Sequence, residues 1–126
     1  MKIDASEYPV VRIDSKPAHR VAIDCVLAEF SRLLAREEAF VFIGEGLPLD
    51  GGGDPEDARV VSRWMRINRA ALSRLVKGQV QIITDPDARQ AAETFSLAFA
   101  YFWGYPMFVV GSEQEARIKV ISLLSL

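Results

Sequence analysis

Twice this chain sets a strand-length segment ahead of an Asp-Pro pair: the apolar run "AFVFI" at 39–43 precedes Asp54-Pro55, and "VQIIT" at 80–84 precedes Asp85-Pro86. An aspartate accepts from the free amides of a helix's first turn, and proline suits the first helical position, so each pair starts a helix. A continuous apolar run of strand length is the pattern of a parallel strand covered on both faces. Strand, helix and strand in alternation restrict the chain to α/β architecture with right-handed crossovers.

The remaining segments fit that scheme. Tyr8 to Ile13 reads as a strand, with Lys2 to Asp4 as a short partner. Pro17 opens a helix over about Ala18 to Arg36, in which Ile23, Val26, Leu27, Phe30, Leu33 and Leu34 share one side at helical spacing. Asp54 caps a second helix that carries Glu56 and Asp57 in its first turn and runs to Lys77, with Gly78 as its stop. A third helix begins at Pro86 and ends near Gly104, with Ala91, Phe95, Ala98, Phe99 and Phe102 as its core face. "PMFVV" at 106–110 is a further strand, and Ser112 with Glu115 forms a capping box for a last helix to about Leu124. The expectation is one α/β domain over 1–126, a four- or five-stranded mainly parallel sheet flanked by four helices.

The strand "YPVVRI", the helix end "LLAREEAFVFI", the segment "WMRINRAALSRLVKG", the strand "VQIIT" and the finish "FVVGSEQEA" together resemble the SpoIIAA-like branch of the STAS fold. The resemblance spans nearly the whole chain and rests on packing and capping patterns. It implies a small cytoplasmic bacterial module with a regulatory or binding role and no enzyme activity. Antagonists of that superfamily carry a phosphorylatable Ser or Thr in the turn that opens the helix after a central strand. Here the turn reads "GGGDPED" and has no hydroxyl, so regulation by phosphorylation is not expected there.

Composition narrows the function classes. With 15 basic and 17 acidic residues the chain is nearly neutral, and no nucleic-acid partner is expected. Cys25 is the single cysteine, which excludes an internal disulfide and suits a cytoplasmic setting. The first ten residues lack the basic start and apolar core of a signal peptide, and no apolar run approaches the ~20 residues that span a bilayer.

Candidate chemistry gathers at five places. The loop "GEGLPLDGGGDPED" at 44–57 suggests a phosphate cradle, yet it contains no lysine or arginine and five carboxylates: Glu45, Asp50, Asp54, Glu56 and Asp57. Glu45, Asp50 and Asp85 form a carboxylate group near the sheet's carboxyl edge, suited to a divalent cation if to anything. His19 and Cys25 lie six residues apart on one helix and point about 120° from parallel, so they form no dyad. Arg59, Arg63, Arg66 and Lys77 share a stripe on the second helix, flanked by Arg69 and Arg74, opposite the apolar Val61, Trp64, Met65, Leu72 and Leu75. Asn68 sits within that apolar face and needs a hydrogen bond if buried.

The fifth place is "TFSLAFAYFWGYPMF", where Leu97, Ala100 and Tyr101 lie opposite the core face, leaving the C-terminal half of the third helix apolar nearly all round. Such an excess marks an interface or a ligand site, with Leu97, Tyr101, Trp103 and Tyr105 as its residues. The leading expectation is a non-catalytic regulatory or protein-interaction module that forms a homodimer through this helix, without catalytic, cofactor or metal residues. One alternative is a binding protein for a small apolar or lipid-like molecule beside Tyr101, Trp103 and Tyr105. The other is a cation-dependent enzyme using Glu45, Asp50 and Asp85.

Overall fold

The computed structural model describes residues 2–14, 22–45 and 55–124. Strands β1 (Lys2–Glu7) and β2 (Val10–Asp14) form an antiparallel hairpin in which Ile3 faces Ile13. From β2 the chain passes through α1 (Ile23–Ala35) to β3 (Phe40–Glu45), through α2 (Pro55–Leu75) to β4 (Val76–Ile82), and through α3 (Pro86–Trp103) to β5 (Met107–Val110). Helix α4 (Glu113–Leu124) follows. The five strands lie in the order β1-β2-β3-β4-β5, and every pair from β2 onward is parallel. The fold is therefore the expected single α/β unit of five strands and four helices, with one antiparallel pair.

Because the order follows the sequence, right-handed crossovers place α1, α2 and α3 on the same face of the sheet. That face holds the larger core, where Val11, Phe40, Phe42, Val76 and Tyr105 meet Phe30, Leu33, Met65 and Leu72. On the reverse face, among the described residues, α4 packs Ala116 and Val120 onto Val41, Ile43, Val80 and Ile82. Strand β3 is thus covered twice: Phe40, Val41, Phe42 and Ile43 are all buried. Each such side chain contributes about 1.5–3 kcal/mol of transfer free energy.

Local signals explain most boundaries. The Asp85 side chain accepts from Ala88 N at 2.8 Å, and Gly104 closes α3 in the left-handed region at φ 84°. Glu115 N donates to Ser112 Oγ at 3.1 Å, while the Glu115 carboxylate reaches back to Gly111 N at 2.9 Å, so the capping box forms one residue wider than its usual reciprocal pattern.

Four expectations are corrected. Ala22 is extended, at φ −57° and ψ 141°, so α1 starts at Ile23. Residues 18–21, including His19, and the Asp54 cap lie outside the described residues. The second helix does not run to Lys77: it ends at Leu75, because Val76 is taken as the ladder partner of Phe40. Lys77 therefore lies on β4 and not on the arginine stripe of α2. Gly78 is a strand residue paired with Val41, and a Cβ there would meet Phe108 Cε2 at 2.9 Å and Leu123 Cδ1 at 3.3 Å. Its lack of a side chain serves a close approach, not a helix stop. Finally, the core side of α3 is turned from the expected stripe. Ala92 is buried, with Phe95, Phe99 and Trp103 partly so, whereas Ala91, Ala98 and Phe102 are exposed.

Candidate functional site

Helix α3 has one fully buried residue in eighteen, and its outer side carries Leu97 and Tyr101, 77% and 85% exposed. It is held at its ends and by an aromatic row. Phe95, Phe99, Trp103 and Tyr105 stack in succession with centroids 5.5 to 6.2 Å apart, and Tyr105 continues the row to Phe42 in the core. Burial raises the Tyr105 hydroxyl pKa well above the ordinary tyrosine value, so it stays neutral. The four residues expected to act together are thus split. Leu97 and Tyr101 face solvent, while Trp103 is half-buried and Tyr105 belongs to the core.

The arginines of α2 divide likewise. Arg69 donates from both terminal nitrogens to the Tyr101 and Phe102 carbonyls, at 2.8 Å each. It satisfies carbonyls that the end of α3 leaves free. Ser73 Oγ donates to Gly104 O at 2.9 Å and finishes the same joint. Arg74 pairs with Glu37 at 2.6 Å, a contact that lowers the Glu37 carboxyl below its ordinary range. Arg59 reaches Glu56 one turn earlier at 3.4 Å. Among the described residues Arg63 and Arg66 make no ion pair, and Ile67 lies beside them 77% exposed. Asn68 donates to Trp64 O at 2.8 Å on its own helix, and Trp64 Nε1 donates to Ser31 Oγ of α1.

At the carboxyl edge of the sheet Asp85 and Arg89 are engaged in holding the fold. Glu45 is exposed at the end of β3, Asp85 is the cap of α3, and Asp50 lies outside the described residues. Consecutive connections leave to opposite faces at one place, where β4 feeds α3 and β5 feeds α4. Open α/β sheets form a crevice at such a point. Here Arg89 fills it: Nε donates to Ile83 O at 3.1 Å and Nη2 to Thr84 O at 3.2 Å, and the guanidinium lies against Gly111, whose absent Cβ would sit 3.0 Å from Nη2. On the reverse face Arg12 of β2 binds Glu113 in the first turn of α4, and this bond lowers the Glu113 carboxyl pKa.

One polar feature inside the core escapes sequence reading. Gln79 and Gln81, both buried, project from β4 toward the helical layer, and Gln79 Nε2 donates to Gln81 Oε1 at 2.9 Å. Gly44 lies across the ladder from Gln81, and a Cβ there would stand 2.7 Å from Gln81 Oε1 and 3.0 Å from Gln79 Nε2. The glycine makes room for the amides. Glutamines two apart in a strand look like an outward-facing row, so burial of this face by α2 and α3 had to be known first. Ile67 was missed for a different reason: a lone isoleucine among arginines does not disturb a polar stripe.

Comparison with protein-family models, with curated proteins and with solved structures finds no match to this chain. Among the described residues no helix is long and apolar enough to cross a membrane.

Proposed function

We propose that this protein is a non-catalytic regulatory or protein-interaction module of the SpoIIAA-like type that self-associates through α3. The observation that carries the reading is the outer side of α3. Leu97 and Tyr101 lie one turn apart, each more than three-quarters exposed, on a helix whose docking rests on Ala92, the aromatic row and the Arg69 joint. Adjacent large apolar residues on a soluble surface mark a contact site. The carboxyl edge supports the same reading, because Asp85 and Arg89 are occupied with backbone groups.

Sedimentation velocity over a concentration series tests this. The wild-type protein is expected to form a dimer, and Leu97→Glu or Tyr101→Glu to shift it to monomer with an unchanged circular-dichroism spectrum. A wild-type chain that stays monomeric at every concentration counts against the proposal.

A further inference from the structure

We propose that the surface receiving α3 is the arginine face of α2 on a second copy of this chain, so that two identical α3-on-α2 contacts close the dimer. This rests on the self-association proposed above and assigns its geometry. The outer side of α2 presents Arg59, Arg63, Arg66, Ile67 and Ala70, all exposed. The outer side of α3 presents Gln90, Glu93, Thr94, Leu97 and Tyr101, also all exposed. The α2 surface sets three arginines, one of them paired with Glu56, around Ile67 and Ala70; the α3 surface sets one acid, Glu93, beside Leu97 and Tyr101.

Within one chain these charges do not meet. Glu93 follows Arg89 by about one turn, on the flank of α3 that looks toward β5 and Gly111, whereas Arg69 reaches α3 from the α2 side. Among the described residues Glu93, Arg63 and Arg66 have no ion-pair partner.

The two helices also match in level. Both are crossover helices of parallel strands and run the same way. Ser73 and Arg69 meet Gly104 and the Tyr101 and Phe102 carbonyls, which puts position 104 level with positions 69–73. Counting back along both at ~1.5 Å per residue, Leu97 and Tyr101 fall on either side of the Ile67 level, and Glu93 falls between Arg59 and Arg63. A two-fold axis parallel to the strands, lying outside the helical layer above the groove between α2 and α3, keeps every level and exchanges the helices. It lays each α3 on the other copy's α2, with Ile67 between Leu97 and Tyr101, Glu93 between two arginines, and Tyr101 over the small Ala70. Such a contact is isologous and closes at two copies. Pairing α2 with α2 would set arginine against arginine, and α3 with α3 would leave both arginine faces unmatched, so charge selects the exchanged arrangement.

Cross-linking tests the arrangement directly, in a Cys25→Ser background. Ile67→Cys and Leu97→Cys chains, mixed and treated with a short bismaleimide, are expected to give covalent dimers, and each chain alone is not. Dimers from Leu97→Cys alone would overturn this arrangement while leaving self-association through α3 standing. So would a mixture that yields none at concentrations where the wild type is dimeric. A charge swap gives a second reading: Arg63→Glu and Glu93→Arg should each raise the dimer dissociation constant about tenfold, and the double variant should return to within about threefold of wild type. Single variants without effect, or a double variant as weak as either single, overturn the proposal; a monomeric wild type overturns it together with the reading it rests on.

Discussion

Replacing Gly104 by alanine tests the joint that fixes the end of α3, and its cost follows from two separable sources. Gly104 holds φ at 84°, a left-handed conformation that costs an L-residue about 1–2 kcal/mol. The new methyl would also stand 2.7 Å from Ser73 Oγ, displacing a hydroxyl that bonds Gly104 O at 2.9 Å. Losing that bond adds about 1 kcal/mol. Gly104→Ala should therefore lose about 2–3 kcal/mol, or roughly 6–12 °C in Tm for a chain of this size. In a Ser73→Ala background only the backbone part remains, so the same substitution should cost about 1–2 kcal/mol there, a coupling of about 1 kcal/mol between the two positions. Urea titration of the four proteins, with m held common, measures both quantities. An equal loss in the two backgrounds would refute the close approach of Ser73, and a loss below about 0.5 kcal/mol would refute the left-handed closure itself.

Two further substitutions probe other contacts. Gly44→Ala forces a methyl against both buried amides, and overpacking of this kind costs about 1–3 kcal/mol; a variant as stable as wild type in urea would mean the glutamines move aside freely. For Glu113 the bond from Arg12 holds the carboxyl pKa below its ordinary value, so the stabilisation is complete above the unfolded value of about 4.3 and is lost as pH falls through the lower folded value. Both side chains are more than a third exposed, so screening keeps the contribution under about 1 kcal/mol. Glu113→Gln should be less stable than wild type at pH 7 and converge with it in acid; a gap that widened on acidification would contradict the assignment.

The fold was legible where a residue's local chemistry and its burial demand the same thing. "AFVFI" is apolar because both sheet faces are covered, Asp85-Pro86 starts α3 through a bond to its own first turn, and the α1 stripe repeats at helical spacing because one side meets the sheet. Lys77 and Gly78 were misread because a glycine after a helical pattern has two explanations, a helix stop or a close approach, and the second depends on Phe108 and Leu123 from distant parts of the chain. The core side of α3 was misplaced because a helix apolar nearly all round has no preferred side in its periodicity. The arginines of α2 look equivalent in sequence, yet Arg69 and Arg74 are tied to Phe102 and Glu37, more than thirty positions away, while Arg63 and Arg66 face outward.

By itself, then, the sequence determined the alternation of strands and helices, the caps that begin α3 and α4 and the apolar excess of α3, all of which are encoded within a turn or a strand of the residue concerned. Only the tertiary structure decided that Arg89 fills the crevice between β4 and β5, that Gly44 makes room for two buried amides, and that Ile67, Leu97 and Tyr101 are all left exposed. Those relations join residues brought together by the order of strands in the sheet, and contacts of that range leave no periodic trace along the chain.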